Sequence, residues 1–440
     1  MIGSFMDKNL NNILKKELEN IKPSAQELLT ISSLVDNFLT LIKPELKKNH
    51  ADLIIGGSFS KNTIIRKDKY DIDFFITFEK NENISEILEK MLLKIVKRIK
   101  PSVELIKLKG SRDYFNLDLI KKPIPISFEI VPVLKIKNIK EAENVTDLSP
   151  FHVTYVKKYI NKNKSLADEI RLVKAFSYAQ KCYGAESYIR GFSGYALELL
   201  TCYYGSFLNL LKAASKWNLK QKIIIDPERY YKGKEALEKL NSAKLESPII
   251  LVDPTQPERN ATAALSNECL EKFIGAGRKF LSNPSSKLFA VSLIDKEKMQ
   301  EEADKKNAQL LIVNVKSNKK KDDVAGAKLK KFFLSFSSAM KEEFSVLKEE
   351  FVFDINGKKA EFFFIVKKDK KDVLIRGPPS SMPKAVDGFK KRWPKCFIKG
   401  RFVYAKRESK DIKEIIKELT KNKAELKKER GIESVILYHK

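Results

Sequence analysis

The sequence predicts an α+β protein with several domains, because strand and helix patterns alternate at both ends of the chain and helices dominate its middle. The 440 residues suffice for several domains, at roughly 100–200 residues each. Short apolar runs and amphipathic helices alternate in the first third of the chain. Helical periodicity then dominates from Ser149 onward, before strands and helices alternate again. We therefore expect three domains, at residues 1–145, 146–282 and 283–440.

The chain carries a large excess of positive charge. It has 85 Lys and Arg residues against 57 Asp and Glu residues, a formal net charge of +28. Residues 367–440 hold 23 basic and 10 acidic residues, which leaves +13 in one sixth of the chain. This density favours contact with nucleic-acid phosphates, although a lysine-rich proteome would also raise the overall charge. The 43% of hydrophobic residues exclude a wholly disordered protein.

The four cysteines (Cys182, Cys202, Cys269 and Cys396) are scattered, with no Cys-x-x-Cys pair. This spacing argues against a structural zinc site or a disulfide framework and suits a reducing compartment. The sequence shows no signal-peptide pattern and no apolar run approaching about 18 residues. We therefore expect a cytoplasmic protein that does not bind a membrane.

Local signals place the main elements. Residues 10–48 have a helical pattern that Pro23 interrupts, and Ser24 with Glu27 resembles a capping box. Strands are predicted at Leu53–Ile55, Asp71–Phe78, Ile126–Val133, Ile223–Ile225, Ile249–Val252 and Phe351–Phe353. Helices are predicted at 166–182, 194–214, 268–281 and 325–349. A further helix is predicted to begin at Ser149, as its N-cap, followed by Pro150. Another is predicted from a cap at Ser409 to about Arg430. Pro254 and Pro257 predict a loop.

The most informative stretch pairs Gly57-Ser58 with Asp71-Ile-Asp73. Alternate residues of a strand share a face, so both carboxylates point the same way. Two anions held together are costly unless a cation lies between them. The Gly57-Ser58 turn can offer N–H groups and a hydroxyl to a triphosphate, and Lys61 adds a nearby positive charge. An Asp-x-Asp alone is typical of a solvated strand edge, whereas its coupling to the upstream Gly-Ser favours a Mg²⁺ and nucleotide site.

Two-metal phosphoryl transfer usually requires a third carboxylate from a neighbouring strand. Glu129 is the candidate, because it is an acid inside the apolar run Ile126–Val133. Asp118, on the preceding extended segment, is the alternative.

These residues resemble the nucleotidyltransferase core of the archaeal CCA-adding enzymes, the class I tRNA nucleotidyltransferases. The resemblance covers about residues 10–280. It is carried by Gly57-Ser-Phe-Ser-Lys-Asn-Thr63, Asp71-Ile-Asp73, Glu129-Ile-Val-Pro132, Ser149-Pro-Phe-His152, Arg171-Leu-Val-Lys-Ala-Phe176, Tyr183-Gly-Ala-Glu186, Arg190-Gly-Phe-Ser-Gly-Tyr195, Tyr204-Gly-Ser-Phe207 and the run from Asp253 to Asn260. The Gly-Ser and Asp-x-Asp pair alone indicates only the wider polymerase-β-like superfamily. The fold implied is a polymerase-β-like head, a helical central domain and an α/β body and tail.

The resemblance also implies roles for individual residues. Asp71, Asp73 and Glu129 would bind Mg²⁺, and Ser58 and Lys61 match triphosphate-binding positions. His152, Lys174 and Tyr183 match positions that contact the nucleotide, and Arg259 matches the arginine that helps to select cytosine and adenine. Without the resemblance, His152 would be an ordinary surface residue, Lys174 a solvated helix lysine, Tyr183 an aromatic at the edge of a core and Arg259 part of a surface ion pair. The Gly-Phe-Ser-Gly-Tyr block, residues 191–195, has an architectural role, because its glycines allow close backbone passage.

The activity implied is addition of C, C and A to the 3′ end of tRNA from CTP and ATP. The 3′-hydroxyl would attack the α-phosphorus in line, with one Mg²⁺ activating it and a second steadying pyrophosphate. The basic C-terminal region would bind the acceptor stem and T-arm side of tRNA. The resemblance also suggests a homodimer. In one respect the sequence departs from the family pattern, because Glu129 stands where Asp is expected.

Two other functions are compatible with the sequence. One is a different RNA 3′-terminal nucleotidyltransferase, such as a poly(A) polymerase, because the Gly-Ser and Asp-x-Asp pair is shared across the superfamily. The other is a catalytically inactive tRNA-binding scaffold, because the extra methylene of Glu129 moves its oxygens by about 1 Å, a misplacement that can be costly in catalysis.

Overall fold

The chain folds into two compact units in the computed structural model. The first unit comprises Met1–Ala185 and Ile189–Val291, and the second comprises Glu186–Tyr188 and Ser292–Lys440. The structure describes residues 2–67, 69–80, 82–99, 103–119, 124–233, 235–240, 245–291, 294–319, 322–354, 357–368 and 372–438. The three-domain division with boundaries after residues 145 and 282 stays a prediction.

The first unit begins with a mixed sheet and its covering helices. The elements in chain order are α1 (Ile2–Ile21), α2 (Ala25–Lys48), β1 (Ala51–Ile55), α3 (Gly57–Ser60), β2 (Tyr70–Phe78), α4 (Ile84–Ile99), β3 (Val103–Leu108), β4 (Tyr114–Leu119) and β5 (Ile126–Leu134). The capping box predicted at the start of α2 is confirmed: the Glu27 N–H donates to Ser24 Oγ at 3.1 Å, and the Ser24 N–H donates to Glu27 Oε2 at 2.7 Å.

The five strands lie in the order β1-β2-β5-β4-β3, and β2 pairs with β5 in parallel. One face of the sheet is apolar because every second residue of the central strands is large and hydrophobic. Phe74 and Phe128 on that face contact Phe38 of α2, with ring centroids 4.9 to 5.2 Å apart. The other face carries Asp71, Asp73 and Glu129 toward one end and the apolar residues Phe75, Val131 and Val133 farther along the strands.

The remainder of the first unit is mainly helical. Its elements are α5 (Ser149–Lys162), α6 (Leu166–Ala179), α7 (Gly194–Tyr204), α8 (Phe207–Ala214), β6 (Ile223–Ile225), α9 (Glu235–Lys239), β7 (Ile249–Asp253), β8 (Gln256–Asn260) and α10 (Asn267–Ser282). A core of aromatic rings joins these helices, and Phe176 contacts Phe207, Phe273 and Phe280 at centroid distances of 5.3 to 6.0 Å.

Several predicted helix boundaries in this region are wrong. The helix predicted at 194–214 is two helices, because Gly205 takes a left-handed conformation (φ 80°) and Ser206 caps the second one. The helix predicted at 166–182 ends at Ala179, and Lys181 follows it at φ 57°. Ser149 is the first helical residue of α5 and not its N-cap, which is Leu148.

The second unit contains two antiparallel sheets. Its elements are α11 (Lys296–Lys305), β9 (Gln309–Ser317), α12 (Asp322–Glu343), β10 (Ser345–Asp354), β11 (Lys359–Lys367), β12 (Asp372–Pro379), α13 (Pro383–Arg392), β13 (Phe397–Lys399), β14 (Phe402–Glu408), α14 (Ile412–Thr420), α15 (Lys423–Lys428) and β15 (Ile432–Tyr438). The strand orders are β10-β11-β9-β15 and β12-β14-β13. The helix predicted at 325–349 ends at Glu343, because residues from Ser345 onward pair with β11.

The C-terminal helix prediction is also wrong in detail. Asp411, not Ser409, caps α14, and Asn422 starts a separate helix before Arg430. Both Asp411 and Asn422 accept a backbone N–H three residues ahead, which is the contact that defines an N-cap. Within the described residues, no helix is both long and apolar enough to span a membrane.

Replacing Phe128 by Ala is expected to lower the free energy of unfolding of the first unit by about 3–5 kcal/mol, because it removes a fully buried ring from the sheet core. Guanidinium unfolding followed by Trp217 fluorescence in a Trp393→Phe background measures this. Leu29→Ala is the control, since Leu29 is 66% exposed and its loss should change stability by less than about 0.5 kcal/mol. Equal effects of the two changes would contradict the prediction.

Candidate active site

Three carboxyl groups lie on the polar face of the five-stranded sheet. Asp73 of β2 is the direct register partner of Glu129 of β5, so both side chains emerge on the same side. Asp71 lies two residues before Asp73 and shares that side. Phe74 and Phe128, their neighbours in sequence, point into the core. The parallel register therefore brings together the three acids that the sequence singled out.

Burial and mutual repulsion raise the pKa values of these carboxyl groups. Burial, together with the charges of Asp73 and Asp71, raises the pKa of Glu129 to about 7. Burial is also the largest cause for Asp73, whose pKa rises to about 6, with Lys61 acting in the opposite direction. The pKa of Asp71 is raised as well, chiefly by burial. The sheet thus holds three acids close enough to oppose one another's ionisation.

The donor set fits a divalent cation in chemical type, because it consists of carboxylate oxygens whose charges a hard cation would balance. Across the described residues, no group of three or more His, Cys, Asp or Glu side chains is arranged so that it could already hold a metal ion. Asp71, Asp73 and Glu129 are therefore neighbours on one face without forming a closed coordination shell.

Asp118, the alternative third acid, is engaged elsewhere. It pairs in register with Ser127, whose Oγ donates to Asp118 Oδ1 at 2.5 Å. Lys69 also donates to Asp118 at 3.1 Å. Asp118 thus lies in the register row of Ser127 and Asp71, two rows from the row that contains Asp73 and Glu129. The choice of Glu129 as the third acid stays a prediction.

The turn after β1 lies directly against Asp73. Gly57 has φ 61°, and a Cβ atom there would meet Asp73 Oδ2 at 1.6 Å. The Gly56 N–H donates to the Asp73 carbonyl oxygen at 2.8 Å. Only glycine fits at position 57, for reasons of both backbone conformation and space. The absence of a side chain at Gly57 therefore lets the turn approach Asp73 closely, and Ser58 is the next residue in the chain.

Lys61 and Lys174 meet at a buried acid that the sequence analysis did not select. Lys61 Nζ donates to Glu198 Oε2 at 2.6 Å, and Lys174 Nζ donates to Glu198 Oε1 at 2.8 Å. Lys174 also donates to Thr63 Oγ1 at 3.2 Å. Burial alone would raise the pKa of Glu198, but the two lysines hold it at about 2. The structure therefore brings together, from distant segments, Lys61, predicted to bind the triphosphate, and Lys174, predicted to contact the nucleotide.

A second buried acid holds Arg259. Asp253 at the end of β7 is fully buried and accepts a hydrogen bond from Arg259 Nη1 at 2.6 Å. Tyr195 Oη and the Thr255 N–H also donate to it, at 3.1 and 2.9 Å. Its own burial opposes ionisation, yet the hydrogen bond from His152 and the charge of Arg259 hold the pKa of Asp253 below its ordinary value.

The predicted loop at Pro254 and Pro257 is wrong at its second half. Gln256–Asn260 forms β8, which turns back on β7 in a hairpin. Arg259 is therefore a strand residue, and its guanidinium is fixed by Asp253 while its side chain remains 37% exposed.

His152 lies in the first turn of α5, as predicted, and faces this second acid. Its Nε2 lies 3.3 Å from both Asp253 Oδ2 and Arg259 Nη1. Its ring stacks on Tyr195 at a centroid distance of 4.1 Å. Burial lowers the pKa of His152, which favours the neutral ring. The adjacent Val153 packs on the polar side of the sheet, against a small apolar cluster that includes Val131 and Val133.

Tyr183 lies outside helix α6, which ends at Ala179. It forms a single bridge with Phe192, and its hydroxyl lies beside Gly194 at the start of α7. Because α6 ends before Tyr183, the direction of the Tyr183 side chain is not set by the helical period that Lys174 follows. Gly191 is also required here, because a Cβ atom would meet the Cys182 carbonyl oxygen at 2.2 Å. The architectural role predicted for the glycines of this block agrees with these close approaches.

The sequence analysis missed Glu198, Asp253 and Tyr195 as members of the site. A usable signal existed for Glu198, which interrupts the apolar run of α7, and for Asp253, which ends the apolar strand β7. A charged group inside such a run requires a partner when buried. The sequence alone does not identify that partner.

Comparison with known proteins identifies a family and relatives that this chain resembles. Residues 168–290 match a family described as tRNA nucleotidyltransferase, second domain. The CCA-adding enzyme of Methanocaldococcus jannaschii is 31% identical, over 93% of this chain and 90% of that protein. The CCA-adding enzyme of Nanoarchaeum equitans is 35% identical, over 72% of this chain and 73% of that protein.

Solved structures share the fold of about two thirds of the chain. A crystal structure of the Cid1 poly(U) polymerase has a TM-score of 0.51 at 13% identity, covering 65% of this chain and 99% of that chain. A cytoplasmic RNA terminal U-transferase has a TM-score of 0.52 at 14% identity, covering 65% of this chain and all of that chain.

The fold is that of the polymerase-β-like nucleotidyltransferases, and the relatives are tRNA nucleotidyltransferases, a class that implies the use of a divalent metal ion. Within that class, the chain belongs to the family of archaeal CCA-adding enzymes, the tRNA nucleotidyltransferases. The predicted fold class and family are thereby confirmed.

The raised pKa of Glu129 predicts a pH-dependent stability in metal-free protein. Folded Glu129 keeps its proton to about pH 7, whereas the unfolded carboxyl loses it near its ordinary value of 4.5. The unfolded state therefore binds fewer protons between these values, and stability falls as pH rises through that window. The melting temperature of the parent should fall more steeply from pH 5 to pH 8 than that of Glu129→Gln.

Added Mn²⁺ should raise the melting temperature of the parent more at pH 8 than at pH 5, because it binds the ionised carboxylates. Glu129→Gln should respond less at pH 8. Parallel pH profiles for the two proteins, with equal Mn²⁺ responses, would show that Glu129 is not part of the acidic site.

Proposed function

We propose that this chain adds C, C and A to the 3′ end of tRNA from CTP and ATP, and that Mg²⁺ is its metal ion. The observation that carries the proposal is the in-register pairing of Asp73 with Glu129, with Asp71 on the same face and the Gly57 turn against it. This arrangement supports a metal site beside a phosphate-binding turn. The chain's membership of the CCA-adding family supplies the substrates.

Asp71, Asp73 and Glu129 would hold Mg²⁺, which when bound neutralises phosphate charge and favours ionisation of a coordinated hydroxyl. Ser58 and Lys61 would bind the triphosphate. The reaction forms a bond between the RNA 3′-oxygen and the α-phosphorus, breaks the bond from that phosphorus to pyrophosphate, and releases the hydroxyl proton. The residues of the site contribute by fixing the two reactants in line.

The nucleotide pocket would be formed by His152, Lys174, Tyr183 and Arg259. Arg259 presents a rigid donor fork suited to the edge of a base, and Asp253 fixes the direction of that fork. The neutral ring of His152 stacks on Tyr195 and closes the pocket beside it. No template strand is needed if the protein itself offers these hydrogen bonds.

We assign residues 1–145 to the catalytic head, 146–282 to nucleotide binding and 283–440 to tRNA binding. The last assignment rests on the net charge of +13 over residues 367–440. The final turn of α13 contributes three consecutive basic residues, Lys390, Lys391 and Arg392. A-form RNA is recognised mainly by shape and backbone charge, so the acceptor stem and T-arm are the expected contacts. The cytoplasm and a homodimer remain part of this proposal.

A tRNA lacking its CCA end, incubated with CTP, ATP and Mg²⁺, should gain C-C-A and then stop. Asp73→Ala should reduce incorporation by at least about 10²-fold, because charge stabilisation at the reacting phosphate is lost, while tRNA binding persists. Asp118→Asn is the matched control and should retain activity. Sequencing of the product decides the outcome: a long homopolymer would indicate a poly(A)-polymerase-like activity, and no incorporation by the parent would indicate a scaffold.

Asp253→Asn should relax base selection, because Arg259 loses the carboxylate that aims its guanidinium. The ratio of kcat/KM for CTP to that for UTP should fall by about tenfold or more, the discrimination that a good bidentate contact provides. Asp226→Asn is the control: Asp226 follows β6 and accepts the Tyr231 N–H at 2.8 Å, whereas Arg259 bonds to Asp253. Unchanged selectivity in Asp253→Asn would rule out this role.

A further inference from the structure

Glu198 joins three segments that the sequence keeps far apart. It lies on α7, Lys61 follows α3, and Lys174 lies on α6; Lys61 and Glu198 are 137 residues apart in the chain. The side chain of Glu198 is 2% exposed, and those of Lys61 and Lys174 are 8% and 4% exposed. The three charged groups therefore form a buried cluster in which each lysine occupies one oxygen of the same carboxylate.

The cluster carries one excess positive charge. Two ammonium groups surround one carboxylate, and the pKa of Glu198, held at about 2, keeps that carboxylate ionised at neutral pH. Taking ions out of water costs several kcal/mol each unless they are paired. Without Glu198 the two ammonium groups would be buried close together and repel each other. The acid thus balances the charge of one of the two ammonium groups.

The excess charge lies next to the candidate metal site. Lys61, Glu198 and Lys174 all act on the ionisation of Asp73, and Lys61 also acts on that of His152. Among the described contacts, Glu198 and Thr63 occupy one N–H of Lys61 and two of Lys174. An ammonium has three donors, and fixing some of them limits the directions of the others.

We propose that Glu198 is a positioning residue that holds Lys61 and Lys174 in place for the triphosphate of the incoming nucleotide. This inference rests on the proposed function. Glu198 does not itself contact substrate: its carboxylate acts through the two lysines. A bound triphosphate supplies negative charge that balances the excess positive charge of the cluster. Neither lysine has to break its contact with Glu198.

The test uses steady-state kinetics of the full-length protein with tRNA lacking CCA. Glu198→Gln keeps the size of the side chain and removes its charge. The KM for both CTP and ATP should rise by about tenfold or more, while kcat at saturation falls less and tRNA affinity is unchanged. Inhibition by inorganic tripolyphosphate should weaken by a similar factor, whereas a structural defect alone would not single out phosphate binding.

Glu169→Gln is the matched control. Glu169 is a partly buried acid of α6 that accepts the Phe207 N–H at 2.7 Å and belongs to the same helix as Lys174. It should leave the KM values and tripolyphosphate inhibition unchanged. An equal effect of both substitutions would overturn the proposal, and so would parent-like KM values in Glu198→Gln.

Glu198→Asp covers the case in which Glu198→Gln fails to fold. It keeps the charge but is one methylene shorter, so it cannot reach both lysines equally, and KM should rise by an intermediate factor. A parent-like KM in Glu198→Asp would contradict the positioning role. If the parent itself adds no nucleotide, the proposed function fails; if the parent is active and both Glu198 variants resemble it, only the role of Glu198 fails.

Discussion

The parallel pairing of β2 with β5 places Asp73 beside Glu129, and the chemistry of the site depends on this contact. Each strand buries phenylalanines on its other face, so the hydrophobic core holds the two carboxyl groups together against their repulsion. Burial is the largest cause of the raised pKa values of Asp73 and Glu129, and the neighbouring acids add to it. Lys61 and Lys174 oppose this shift at Asp73, and a divalent cation would balance the remaining negative charge.

Acidic residues have two opposite roles in this molecule. Asp73 and Glu129 lie where ionisation is opposed, whereas Glu198 and Asp253 are held ionised by basic partners. The first pair is suited to gain a cation, and the second pair already holds cationic side chains in fixed directions. Burial acts on all four groups, so the difference lies in the partners that the tertiary fold provides.

Much of the site could be inferred from local patterns in the sequence. The period of two in a strand puts Asp71 and Asp73 on one face, and the apolar run around Glu129 marks a buried strand that carries an acid. The capping box at Ser24 and Glu27 needs contacts only three residues apart. Predictions failed where a loop signal competed with strand pairing: Pro254 and Pro257 indicated a loop, but Gln256–Asn260 turns back in a hairpin and pairs with β7.

The sequence by itself therefore determined which residue types are available for metal and phosphate chemistry, since strand period, glycine turns and motif order depend on neighbours in the chain. Only the tertiary structure decided which buried acid pairs with which basic side chain. Lys61 meets Glu198 across 137 residues, and Lys174 meets the same carboxylate from a different helix. Such contacts arise because packing of the sheet and helices brings the segments together. No local pattern in the chain specifies which residues, far apart in sequence, come into contact.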